Sequence, residues 1–88
     1  MRIEGCTAII TGASSGIGQA TARELVEQQA NVVLASRNRD RLESLALDLV
    51  ALPGRTLVVP TDVTDRLAVE ALVRKTAEEF GSSQPILP

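Results

Sequence analysis

Three glycines in seven positions, Gly12, Gly16 and Gly18, stand between an apolar run and a helical stripe. Each glycine near a helix start costs up to ~1 kcal/mol relative to alanine, so three of them there require a physical reason. The stretch reads Thr11-Gly12-Ala13-Ser14-Ser15-Gly16-Ile17-Gly18. Gly12 allows a sharp turn off a strand, and Gly16 lets the backbone approach an anionic group. Gly18 lets the first helical turn pack against the strand. The free N–H groups and the positive end of the helix then face an anion, with hydroxyls from Ser14 and Ser15 as further donors. The alternative is a glycine-rich turn with Ser15 as an ordinary N-cap and no ligand. The flanking strand, helix and second strand favour phosphate. No Lys-Ser or Lys-Thr follows the glycines, so a P-loop is excluded.

The rest of the chain alternates strand and helix. Cys6 to Thr11 is short, rich in β-branched residues and ends at Gly12, as a buried strand does. A helix follows over about Gly16 to Gln29, with Ile17, Ala20, Thr21 and Leu25 on its apolar face. Asn31 opens a second run, Val32-Val33-Leu34-Ala35-Ser36, apolar almost without alternation, as in a parallel strand covered on both faces. Asn38 caps a second helix to Ala51, whose stripe is Leu42, Leu45, Ala46, Leu49 and Val50, and Pro53-Gly54 stops it. A third strand, Thr56 to Val59, ends at Pro60, which suits a sheet edge. Thr64 is read as the cap of a third helix over Asp65 to Phe80, with a stripe of Val69, Leu72, Val73, Thr76 and Phe80 and a stop at Gly81.

Helices between strands imply parallel pairing through right-handed crossovers. The expected fold is therefore α/β and Rossmann-like but partial. It has three parallel strands in the order 3-2-1 and three helices, with the first two helices on one face of the sheet and the third on the other. Residues 1–81 form the expected nucleotide-binding domain. Residues 82–88, Ser-Ser-Gln-Pro-Ile-Leu-Pro, are expected to be a poorly ordered tail rather than a fourth strand. The first strand would then present an exposed apolar edge, inviting self-association or pairing with another chain.

Composition narrows the chemistry. The 88 residues contain no His, Tyr or Trp, and Lys75 is the only lysine. Histidine acid–base catalysis, tyrosine proton donors and aromatic stacking platforms for nucleic acid are absent. A net charge of −2 argues against nucleic-acid or anionic-membrane partners. One cysteine without histidine excludes a disulfide framework and a zinc site, leaving Cys6 as a small core hydrophobe in a reducing compartment. No segment holds the ~18 apolar residues that cross a bilayer. Met1-Arg2-Ile3-Glu4-Gly5 does not read as a signal peptide, so a cytoplasmic location is expected.

The segment Thr11 to Gly18 resembles the cofactor-binding signature of the short-chain dehydrogenases/reductases, with that family's Gly-x-x-x-Gly-x-Gly spacing. The resemblance extends over about residues 3–81. It implies a domain binding a nicotinamide dinucleotide and hydride transfer to or from alcohols or carbonyl compounds. It also places Arg37, Asp62 and Val63 at the cofactor. The Asp62 carboxylate would meet the adenine amino group, and the Val63 backbone would flank the ring. Dinucleotide folds that prefer NAD place an acid after the second strand. Here Ser36 is followed by Arg37, with Arg39 and Arg41 close behind and Asp40 partly neutralising them. A guanidinium pairs with a 2′-phosphate, so NADP(H) is favoured over NAD(H) and Arg37 is expected to carry the preference.

The family's Asn-Asn-Ala-Gly segment and Tyr-x-x-x-Lys pair have no counterpart here, and Lys75 lies on the third helix. Gln29 departs from the glycine that often ends the family's first helix. The expected identity is the NADP(H)-binding part of a short-chain oxidoreductase, truncated or diverted near residue 81 and catalytically incomplete. A non-catalytic fragment pairing through its sheet edge is the alternative.

Overall fold

The computed structural model describes residues 3–81 and, for the backbone alone, residues 86–87. Its elements are β1 (Thr7–Thr11), α1 (Gly16–Glu27), β2 (Asn31–Ser36), α2 (Arg39–Leu49), β3 (Arg55–Pro60), α3 (Arg66–Phe80) and β4 (Ile86–Leu87). The strands form one sheet in the order β3-β2-β1-β4, with all pairs parallel. The expected 3-2-1 arrangement with three intervening helices is present, with Pro60 closing the edge strand β3 opposite Ser36.

Two expectations are corrected. A fourth strand exists, placing Ile86 and Leu87 beside Ile9 and Ile10. Strand β1 is therefore interior over that register, and the open apolar edge expected there is occupied. A pair of residues forms a ladder here because Ile9 and Ile10 belong to a strand already fixed by β2 on its other side. The expectation of a poorly ordered tail falls mainly on residues 82–85 and 88, which lie outside the described residues.

Alternation along the strands sends side chains to two cores. Ile10, Val32 and Leu34 face Ala22 and Val26 of α1 and Leu42, Leu45 and Leu49 of α2. Ile9, Val33, Ala35 and Val59 face Leu72 and the half-buried Phe80 of α3. Residues adjacent in sequence, such as Val33 and Leu34, are thus fully buried on opposite faces. The continuous apolar run of β2 follows from this double coverage.

Helix α1 turns differently from its sequence stripe. Its buried residues are Gly18, Ala22 and Val26, while Ile17 is 84% exposed and Ala20 lies at the surface. The cause is the contact at Gly18. A Cβ there would run into the Gly12 carbonyl oxygen and lie 2.9 Å from the Ala13 Cα, so only glycine permits the approach. That contact rotates the helix one residue, about 100°, from the orientation the larger apolar side chains indicate. The helix ends at Glu27, earlier than expected, and Gln29 follows with φ +68°.

Helix α2 starts as expected, with the Asn38 side chain accepting from the Arg41 N–H at 3.1 Å, but stops at Leu49, leaving Val50 exposed. Helix α3 is capped by Asp65 rather than Thr64. The Asp65 carboxylate accepts from the N–H groups of Leu67 and Ala68 at 3.0 and 3.4 Å. Aspartate, already charged, outcompetes the neighbouring hydroxyl for the positive end of the helix. The far end of α3 is tied to the edge strand: Arg55 pairs with Glu79 at 3.5 Å and lies 5.0 Å from the Phe80 ring centre. No helix among the described residues is long and apolar enough to cross a membrane.

Candidate functional site

Parallel pairing brings the C-terminal ends of β1, β2 and β3 to one rim of the sheet, so the loops after them are neighbours. In the order β3-β2-β1-β4 the chain winds outward in both directions from β1, and the rim beside β1 is the switch point of the topology. Open α/β sheets bind ligands in that crevice.

The first loop is the glycine turn. Gly12 leaves β1 with φ +68°, a left-handed conformation costly for any side-chain-bearing residue. The Ala13 N–H donates to the Ala35 carbonyl at 3.2 Å, fastening the turn to β2. Ser15 caps α1: its Oγ accepts from the Gly18 N–H at 3.1 Å and donates its proton to the Gly12 carbonyl at 2.8 Å. The Ser15 N–H donates to the same Gly12 oxygen at 3.0 Å. The amides of Ala13, Ser15 and Gly18 are thus engaged within the protein, whereas those of Ser14, Gly16 and Ile17 meet no acceptor among the described residues. The first turn of α1 carries no acid, so its positive end is not neutralised locally. A Cβ at Gly16 would meet nothing within 4 Å, so the space over the backbone is open.

The second loop leaves β2 at Ser36, whose Oγ accepts from the Asn38 N–H at 3.1 Å. Arg37 follows, exposed and without an ion-pair partner among the described residues. Arg39 is paired instead with Glu43 at 3.9 Å, along the helix and away from Asp40. The third loop begins at Thr61. This buried residue donates its N–H to the Ser36 carbonyl at 2.7 Å and its hydroxyl to the Val59 carbonyl at 2.9 Å, locking the third loop to the second. Asp62 then accepts twice on one oxygen, from the Thr64 N–H at 2.9 Å and the Thr64 hydroxyl at 2.6 Å. These two bonds, with a smaller contribution from the Arg37 charge, hold the Asp62 carboxyl below its ordinary value.

A cleft of about 250 Å³ joins the three loops, lined by Gly12, Ser36, Arg37, Thr61, Asp62, Val63 and Thr64. Of the residues singled out from sequence, Gly12, Arg37, Asp62 and Val63 meet in this cleft. Ser14, Ser15, Gly16, Ile17 and Gly18 continue from Gly12 into α1 without lining it. The turn offers main-chain amides and the Ser14 hydroxyl as donors. Ser15 has spent its proton on Gly12 and serves the turn itself. Ser36, Thr61 and Thr64 are additions. Thr61 carries no spacing signal, and Thr64 is recognisable only once Asp65 is known to hold the helix cap.

The cleft thus holds a guanidinium with no ion-pair partner among the described residues and a fixed carboxylate beside the exposed Val63, and the unengaged amides at the start of α1 lie next along the chain from Gly12. That combination suits an extended ligand carrying anionic groups at one end and a hydrogen-bond donor at the other.

Comparison with known proteins identifies the family and the fold. An uncharacterized oxidoreductase of Staphylococcus haemolyticus is 51% identical over 79 residues, 90% of this chain and 33% of that protein. The L-sorbose reductase of Gluconobacter frateurii, solved with NADPH and L-sorbose, superposes with a TM-score of 0.88 at 36% identity, covering 98% of this chain and 34% of that one. An alcohol dehydrogenase of Thermococcus sibiricus, solved with 5-hydroxy-NADP, gives 0.85 at 35% identity over 92% of this chain and 35% of its own. The chain therefore spans about a third of the length of each of these relatives. The sequence profile described as short chain dehydrogenase matches residues 6–84, and this chain belongs to that family.

Proposed function

We propose that the chain is the NADP(H)-binding portion of a short-chain oxidoreductase that interconverts alcohols and carbonyl compounds. The observation that carries the reading is Arg37, a guanidinium with no ion-pair partner among the described residues that lines the same cleft as Gly12, Asp62 and Val63. In this reading the amides of Ser14, Gly16 and Ile17 and the Ser14 hydroxyl hold the diphosphate. Ser15 and Gly18 fix the turn that presents them. Arg37 pairs with the 2′-phosphate through a charge-assisted, bidentate contact, and an acid at this position would repel it. Asp62 accepts from the adenine amino group, and Val63 covers the ring. When bound, the reduced cofactor would give a hydride to a carbonyl carbon and the oxidised cofactor would take one from an alcohol carbon. The cofactors named in the two structures described above, NADPH and 5-hydroxy-NADP, support the choice over NAD(H). No tyrosine is present among the 88 residues, so the role proposed for this chain is binding rather than proton transfer.

Titration with NADPH, NADH and 2′,5′-ADP, followed by calorimetry, tests the reading. NADPH and 2′,5′-ADP should bind, and NADH more weakly. Arg37→Glu should cost at least about tenfold in affinity for the two 2′-phosphorylated ligands, the scale of one lost charge-assisted contact. Equal affinity for NADPH and NADH, or an Arg37→Glu variant that binds as wild type does, would overturn it.

A further inference from the structure

The hydroxyl of Thr64 sits two residues before the start of α3 at Arg66, one position ahead of the cap. Asp65 is that cap, with two main-chain N–H groups on its carboxylate. The Thr64 hydroxyl proton goes backward to Asp62, and so does its N–H, both to the same oxygen, Oδ1. A carboxylate oxygen accepts about two good hydrogen bonds, so Oδ1 is filled. Oδ2 has no hydrogen bond among the described residues, and Asp62 lines the cleft with Gly12, Arg37 and Val63. A half-exposed aspartate would otherwise sample several rotamers and present either oxygen; two donors from one neighbour fix which oxygen is left over.

We infer that Thr64 is a positioning residue that locks Asp62 so that a single acceptor oxygen faces the base of the bound nucleotide, making the cleft selective for a base carrying an amino group over one carrying a carbonyl. The inference rests on the dinucleotide reading proposed above. An oxygen held rigidly and unprotonated attracts an N–H donor and repels a carbonyl oxygen. A mobile carboxylate turns away from the carbonyl and loses the discrimination. The same two bonds are the main cause of the lowered titration of Asp62, whose carboxyl is an ionised acceptor at neutral pH already at its ordinary value.

The test compares NADPH with its hypoxanthine counterpart, in which a carbonyl replaces the adenine amino group, using wild type, Thr64→Val and Thr64→Ser. Wild type should prefer NADPH by about tenfold, the scale of one hydrogen bond to a charged group. Thr64→Val should lose most of that preference, through weaker NADPH binding together with equal or tighter binding of the hypoxanthine dinucleotide. Thr64→Ser, which keeps the hydroxyl, should restore the preference. A ligand-independent readout accompanies it: by NMR the Asp62 carboxyl should titrate at higher pH in Thr64→Val than in wild type or Thr64→Ser. The inference is overturned if Thr64→Val weakens both dinucleotides alike, if it leaves the preference intact, or if the Asp62 titration does not move. Wild type that binds both equally while Arg37→Glu still abolishes binding overturns this inference and leaves the dinucleotide reading standing. Wild type that binds neither overturns both.

Discussion

Replacing Gly18 by alanine, with Gly16→Ala as its control, separates the two reasons a glycine can occupy the start of α1. At Gly18 the added methyl meets the Gly12 carbonyl oxygen, the Ala13 Cα at 2.9 Å and the Gly12 carbonyl carbon at 3.0 Å. All three are main-chain atoms, and no rotamer change relieves them. Overpacking of this kind costs up to about 3 kcal/mol. Alanine returns up to about 1 kcal/mol through its better helix propensity. The net loss is about 2 kcal/mol, which in a domain of this size lowers the melting temperature by about 8–16 °C. At Gly16 the methyl enters open space and the backbone is not left-handed, so the same substitution should stabilise by a few tenths of a kcal/mol. Thermal unfolding followed by circular dichroism reads both variants. Melting points that shift in the same direction, or a Gly18→Ala variant as stable as wild type, would refute the argument that the Gly18 contact sets the rotation of α1. Gly16→Ala should nevertheless lose dinucleotide binding, because its methyl fills the space proposed for the diphosphate. A more stable protein that binds less is the combination expected only if that space serves a ligand.

Other outcomes follow from single residues. Gln29 holds φ +68°, so Gln29→Gly should raise stability by up to about 1 kcal/mol, read as a higher denaturation midpoint at unchanged slope. Asp65→Ala removes the cap of α3 and should cost about 1 kcal/mol, while Thr64→Ala should cost α3 less in the same unfolding experiment. The folded Asp62 carboxyl lies below its unfolded value of 3.8, so its stabilising contribution is full above that pH and is lost as pH falls through the folded value. The stability difference between wild type and Asp62→Asn should therefore be flat at neutral pH and shrink only on the acid side of 3.8; a difference changing near pH 7 would contradict the assignment.

The first three strands, their order in the sheet and the helix order were legible because they depend on the period of apolar residues and on where glycine and proline interrupt it; β4 was not, because its two residues are too few to show a period. The run Val32 to Ala35 announces a strand buried on both faces, and Pro60 announces an edge. The rotation of α1 was not legible. Ile17 outranks Gly18 on any scale of hydrophobicity, yet a close backbone approach decided which of the two is inside. The caps show the same limit. Thr64 and Asp65 are both good capping residues, and sequence does not rank adjacent candidates when one is also claimed by a carboxylate two residues earlier. Within the site, the glycine turn and the arginine after β2 could be read off directly. The buried Thr61 that clamps the second and third loops together could not, because its role depends on contacts rather than spacing.

The occupied side of β1 changes what kind of object the chain is. A three-stranded sheet with β1 at its rim would leave Ile9 and Ile10 as a template for another chain. With Ile86 and Leu87 beside them the winding reverses at β1, and the rim of the sheet there becomes a switch point rather than an edge. The cleft is lined from the loops after β1, β2 and β3, so the two-residue ladder reaches it only by holding β1 in place. A proline in place of Ile9 removes a main-chain donor from the middle of β1 and breaks pairing on both sides. Proline at Ile86 affects the β1–β4 contact alone. Ile86→Pro should thus leave the β1–β2–β3 core folded, with its circular dichroism retained, while lowering NADPH affinity. Unchanged affinity in a folded Ile86→Pro variant would show that β1, β2 and β3 suffice to form the cleft and that β4 contributes nothing to it.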